Sequence, residues 1–91
     1  KNLEEKLTIN LVERNINLVF PSQFDHNIIS GRILLYRPSD RALDINKSVK
    51  PDSNNTQVIS ALSLKSGMWK IKVSWLADSL SYFNEQILMV E

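Results

Sequence analysis

The sequence contains no cysteine, one histidine and only two glycines in 91 residues. Without cysteine there is no disulfide framework, no thiol nucleophile and no thiolate metal site. The lone histidine, His26, does not supply the converging ligands that zinc or Cu(II) requires. Two methionines, Met68 and Met89, are too few for a Cu(I) site and fall at strand positions, where core packing is the ordinary role. No cofactor or metal is expected. Two glycines do not build a phosphate-cradling loop. The longest apolar runs, Ile33–Tyr36 and Ile87–Val90, are four residues long, whereas a membrane-crossing helix needs roughly 20. A signal-peptide pattern is also missing. The chain starts at Lys1 and not at Met, so an upstream piece is expected to have been removed.

Catalytic constellations are equally scarce. Asp25 and His26 are adjacent, which invites a triad reading, but no serine sits in a Gly-x-Ser-x-Gly elbow. Neighbouring side chains in a loop rarely face each other, so His26 reads as an exposed loop residue. The carboxylates Asp40, Asp44, Asp52, Asp78, Glu85 and Glu91 are scattered. A glycosidase pair would need two of them across a cleft. Two glycosylation sequons, Asn46-Lys47-Ser48 and Asn54-Asn55-Thr56, are expected by chance in a chain this rich in Asn and Ser. The chain is expected not to be an enzyme.

What is present is a charge asymmetry and a clear period. Net charge is +1, but residues 31–72 carry eight basic and three acidic residues, while residues 1–30 and 73–91 are net acidic. A basic middle either faces an acidic partner or is an ordinary solvated face. The pI near 8.2 and the lack of interleaved aromatic and basic residues argue against nucleic acid.

Apolar residues recur every second position. Leu7, Ile9 and Leu11, then Ile16, Leu18 and Phe20, read as two strands of a hairpin, the second stopped by Pro21. Residues 28–37 form the most continuously apolar run, expected to be buried on both sides for part of its length. Residues 38–46 read as a loop with room for one helical turn, followed by a short strand over 46–50. The 51–55 segment supplies turn chemistry, since Asn tolerates the left-handed conformation, and 56–60 is a further strand. In Trp69-Lys70-Ile71-Lys72-Val73-Ser74-Trp75 the alternation is unbroken. It predicts Trp69, Ile71, Val73 and Trp75 inward and the lysines solvated. Gly67 suits a turn with positive φ before that strand. The last strand, 80–90, sets Phe83, Ile87 and Met89 against Tyr82, Leu88 and Val90, so both its faces are partly apolar. About seven short strands predict an all-β fold, an antiparallel β-sandwich of immunoglobulin-like kind occupying residues 7–91, with an open barrel as the alternative. Residues 1–6 read as a linker end and the one place for a helix.

The run Gly31-Arg32-Ile33-Leu34-Leu35-Tyr36-Arg37-Pro38-Ser39-Asp40, with Leu43-Asp44 after it, resembles a motif of the FixH family. Leu64-Lys65-Ser66-Gly67-Met68-Trp69, continued to Trp75, is similar to that family's Gly-x-Trp segment, and Tyr82-Phe83-Asn84-Glu85 to the opening of its last strand. The resemblance covers residues 28–91 in order, while residues 1–27 match only in general strand character. It implies a membrane-anchored protein whose β domain stands on the periplasmic side of the bacterial inner membrane, anchored through an N-terminal helix absent from this chain. It further implies partners among the subunits of the cbb-type haem–copper oxidase or a copper-type cation pump, in assembly of that nitrogen-fixation-related oxidase. A periplasmic metal carrier and a generic envelope adhesion module are the competing readings; the ligand shortage disfavours the carrier.

Tyr36, Arg37, Pro38, Ser39, Asp40, Arg41 and Asp44 are the residues to examine. Pro38 fixes its own φ and holds Arg37 extended, so the strand ends there. Ser39 and Asp40 suit side-chain hydrogen bonds to the turn backbone. Arg37 is placed to fork onto Asp40 or Asp44, ordering the loop, and the ordered loop would display Arg41 to a membrane partner. Gly67, Trp69, Ile71, Val73, Trp75 and Tyr82 are the expected structural core.

Overall fold

The computed structural model describes residues 6–91, and residues 40–43 by their backbone alone. Seven strands run β1 Thr8–Val12, β2 Asn15–Val19, β3 Ser30–Arg37, β4 Asp40–Ser48, β5 Thr56–Ser60, β6 Gly67–Ala77 and β7 Leu80–Val90. They form a three-stranded sheet, β1-β2-β5, and a four-stranded sheet, β4-β3-β6-β7. Every pairing is antiparallel. The chain is therefore an all-β sandwich. In a constant-type immunoglobulin domain the fourth strand lies beside the fifth; here it has moved to the other sheet, beside the third.

The period-two pattern accounts for the core. On β6, Trp69, Ile71, Val73, Trp75 and Ala77 are each at most 2% exposed, and Ile16 and Leu18 of β2 are fully buried. Ile9, Ile33, Leu35, Ile59, Leu88 and Val90 join them in one cluster. Each fully buried side chain of this size stabilises by about 1.5–3 kcal/mol. The one-residue alternation is thus what assigns each strand its inner face. Lys70 and Lys72 point outward as expected, although neighbours on the sheet leave them half-buried. In β3 the inner residues Ile33 and Leu35 are fully buried and the outer Leu34 and Tyr36 half-buried. Double-sided burial there is partial.

Three expectations are corrected. Residues 38–46 are not a loop: Pro38-Ser39 is a two-residue turn, and the chain returns at once as β4. The strand expected over 46–50 is the end of β4, which stops at Ser48. β4 is an edge strand whose apolar alternation is short, Leu43 and Ile45 about Asp44, with Ile45 packed against the core; the Pro38-Ser39-Asp40 run before it reads as a loop. Second, Met68 and Met89 are not core residues; they share the outer face with Lys70 and are 40% and 62% exposed. Third, His26 is half-buried in a 3-10 turn, His26–Ile28, and Asp25 caps that turn by accepting from the Asn27 amide at 2.8 Å.

Turn geometry fixes the hairpins. Glu13 and Arg14 have φ of 50° and 66°, and Asp78 and Ser79 have 53° and 67°. Both pairs form two-residue turns in the left-handed backbone region, whose twist matches the right-handed twist of paired strands, without the glycine usually found there. Pro38 holds φ near −65° and so cannot enter such a turn. Instead the β3–β4 register slips, from Leu35↔Ile45 to Arg37↔Asp40, and the resulting bulge in β4 absorbs the mismatch. Gly31, at φ 151°, marks the closest approach of β3 to β6: a Cβ there would overlap the Ser74 carbonyl oxygen and lie 2.6 Å from the Trp75 Cα.

Candidate functional site

Tyr36 and Arg37 are consecutive in β3, so their side chains leave opposite faces of the four-stranded sheet. Arg37 turns inward. Its guanidinium carbon lies 5.8 Å from the Trp69 ring centroid, a cation–π contact. A Cβ on Gly67 would sit 3.0 Å from the outer guanidinium nitrogen. Gly67 therefore serves twice: it adopts φ 122° at the start of β6, and its missing side chain makes room for Arg37. The Trp69 indole N–H donates to the Lys65 carbonyl at 2.8 Å, which ties the β5–β6 connection to the same ring. Arg37 Nε, like Tyr82 Oη, is buried without a hydrogen-bond partner among the described residues.

Tyr36 turns outward. Its hydroxyl donates to Glu85 Oε2 at 3.4 Å, and Lys72 Nζ stands 5.2 Å from its ring centroid. Register explains the meeting: Leu34 pairs with Lys72, and Lys72 with Glu85, so one row of the outer face runs β3-β6-β7 beside Tyr36. The β3–β4 corner is thus held from both faces of the sheet, by Trp69 within and by Lys72 and Glu85 without.

The motif residues separate into two groups. Arg37, Gly67 and Trp69 converge from distant parts of the chain, as do Tyr36 and Glu85. Pro38 and Ser39 form the exposed turn, and Asp44 is exposed further along β4. The side chains of Asp40 and Arg41 lie outside the described residues. The guanidinium of Arg37 lies over Trp69, and the expected fork onto Asp40 falls outside the described residues.

The second end of the sandwich is aromatic. Trp75 stacks on Tyr82 at 4.4 Å between centroids and takes the edges of Phe20 and Phe24 at 5.2 and 6.1 Å. Its indole N–H donates to Asn84 Oδ1 at 2.9 Å. Asn55 organises this end and was not singled out from the sequence. It is buried, and its side-chain amide donates to the Pro21 and Phe24 carbonyls at 2.8 and 2.7 Å. The Phe20 amide in turn donates to the Asn55 carbonyl at 2.8 Å. The one available signal was the Asn-containing 51–55 turn, and Asn55 does take the left-handed conformation, at φ 57°.

The surface carries open hollows. One of about 500 Å³ opens between β4 and β5 over Leu35, Ile45 and Ile59, and one of about 410 Å³ lies beside the β1–β2 turn. Among the described residues no three His, Cys, Asp or Glu side chains gather in a metal-binding group. No helix there is long and apolar enough to cross a membrane. What the arrangement supplies is a corner held from both faces of the sheet and a mixed basic and apolar outer face.

The FixH family model matches residues 1–88. The match includes the β1–β2 hairpin, which the motifs alone had left outside the resemblance. No curated protein and no solved structure is significantly similar to the chain.

Proposed function

The chain belongs to the FixH family, and from that membership we propose that it is a non-catalytic accessory domain. In this reading it stands on the periplasmic side of the bacterial inner membrane. There it docks on a subunit of the cbb-type haem–copper oxidase, or on a copper-type cation pump, while the oxidase is assembled. The observation that carries the reading is the convergence of the three motif segments on one corner. Arg37, Gly67 and Trp69 on the inner side, and Tyr36 with Glu85 on the outer, hold the Pro38-Ser39 turn at the end of the sheet. A hairpin tip anchored from both faces presents the adjoining residues at low entropic cost to binding.

The test separates the anchor from the displayed residues. Arg37→Ala is expected to lower the melting temperature of the domain by several degrees. Arg41→Ala is expected to leave melting unchanged and to reduce oxidase maturation in cells, read as haem-containing oxidase subunits in the membrane. Normal maturation with a folded Arg41→Ala protein, together with normal maturation for Arg41→Glu, refutes the reading of this tip as the docking element.

A further inference from the structure

The four-stranded sheet has two free edges, and they are built differently. β4 is bulged near the turn and ends in the exposed polar residues Asn46, Lys47 and Ser48. Bulges and charges are the usual protections of an edge strand. β7 is less protected, with no bulge and a single charge, Glu85. It is eleven residues long, contains no proline, and pairs with β6 without a register slip from Ala77↔Leu80 to Gly67↔Val90. Among the described residues β6 is its one strand neighbour.

The register states which backbone groups are free. A two-residue turn makes the residues flanking it, Ala77 and Leu80, a hydrogen-bonded pair, and hydrogen-bonded pairs then alternate along the ladder. The N–H and C=O groups of Ser81, Phe83, Glu85, Ile87 and Met89 therefore point off the sheet. The same residues carry their side chains on the outer face, where Phe83, Ile87 and Met89 are 60%, 54% and 62% exposed. Glu85 is the one charge among them.

We propose that β7 pairs antiparallel with β7 of a second copy of this chain, about a two-fold axis at Gln86, joining the two four-stranded sheets into one. The free groups lie on alternate residues, so only registers that set these residues against one another form the ladder. Centring on Glu85 would oppose two like charges, which is destabilising. Centring on Ile87 would set Phe83 against the partner's Glu91. Centring on Gln86 opposes Phe83 to the partner's Met89 and Glu85 to the partner's Ile87. The rows across both sheets then complement each other. Arg32, Ser74 and Phe83 continue into the partner's Met89 and Met68, giving the exposed ring two thioether neighbours. Leu34, Lys72 and Glu85 continue into the partner's Ile87 and Lys70, so Glu85 lies between cations of both copies. A net charge of +1 per chain opposes association only weakly.

The experiment is sedimentation velocity on the 91-residue chain across the micromolar to submillimolar range. A monomer–dimer equilibrium is expected. Ile87→Pro deletes an N–H that points off the sheet, so the monomer should keep its circular dichroism while dimerisation weakens by about tenfold or more. Phe83→Lys, at an exposed position, should weaken it likewise and serves if the proline variant does not fold. Register is read by cross-linking, since the chain has no native cysteine. A mixture of Glu85→Cys and Ile87→Cys chains should oxidise to mixed dimers faster than either variant alone. Opposed Cα atoms lie about 5.5 Å apart, within disulfide reach, and diagonal ones do not. A monomer at every concentration overturns the proposal. So does a dimer insensitive to both Ile87→Pro and Phe83→Lys, or Glu85→Cys chains that cross-link to themselves faster than the mixture.

Discussion

Trp69 and Trp75 stand on the same face of β6 and are almost equally buried, at 1% and 2% exposure, yet they are held by different physics. Rings surround Trp75: Tyr82 stacked at 4.4 Å, with Phe20 and Phe24 edge-on. Around Trp69 the decisive neighbours are a cation and a missing side chain, Arg37 and Gly67. The aromatic end is optimised for packing, and its one buried polar residue, Asn55, satisfies two carbonyls at once. Each end also holds one buried donor with no hydrogen-bond partner among the described residues, Tyr82 Oη beside Trp75 and Arg37 Nε beside Trp69. Leaving a buried donor unmet costs about 1–3 kcal/mol. What differs is the contact itself: the corner that Arg37 anchors carries the Tyr36–Asp40 motif, so the cation over Trp69 also fixes the hairpin tip, whereas the rings around Trp75 only pack.

The largest expected effect tests that contrast directly. Trp75→Ala removes the centre of the ring cluster and should cost about 3–5 kcal/mol in urea unfolding. Trp69→Ala should cost less by about 1 kcal/mol, because the Arg37 stem is able to move into part of the space. Equal losses would break the distinction between the two ends.

Asn55→Ala comes next. It orphans the Pro21 and Phe24 carbonyls and forces a left-handed φ on alanine, for an expected loss of about 2–4 kcal/mol. Asn55→Gly should recover only the backbone share, about 1 kcal/mol. If the glycine variant is as stable as the parent, the amide is not what holds the 21–24 segment to the aromatic end.

The smallest effect sharpens the other side of the comparison. Arg37→Ala should cost about 1 kcal/mol, the scale of a partly exposed cation–π contact, and Gly67→Ala about 1–2 kcal/mol from its φ and from crowding the guanidinium. In the double variant the crowding vanishes, so the losses should sum to less than the parts by about 0.5 kcal/mol or more. Strict additivity in denaturant midpoints would show that the two residues do not share the Trp69 contact.

Strand positions and their inner faces were legible because burial on one side of a sheet writes itself as alternation. That is why residues 56–60 and 80–90 coincide with β5 and β7. The same rule, applied to β7, already showed two partly apolar faces. Which face was core and which was surface required knowing that the other sheet covers Leu88 and Val90 and leaves Phe83, Ile87 and Met89 bare. Only the end of β4 was legible, because its first half follows Pro38-Ser39-Asp40, which reads as loop, and its apolar alternation is limited to Leu43 and Ile45. Met68 and Met89 were assigned to the core on residue type, but their place is set by sharing parity with Lys70 and Ile87.

The candidate site divides along the same line. The sequence by itself determined its residue types, the extended approach that Pro38 imposes on Arg37, and the left-handed turn at Asn55. Those are local properties of one or two residues, set by sterics within the chain. Only the tertiary structure decided that Arg37 meets Trp69 above Gly67, that Tyr36 meets Glu85, and that Asn55 reaches back to Pro21 and Phe24. Those contacts join residues far apart in the chain, and they exist because antiparallel register and the packing of two sheets bring distant strands to fixed neighbouring positions.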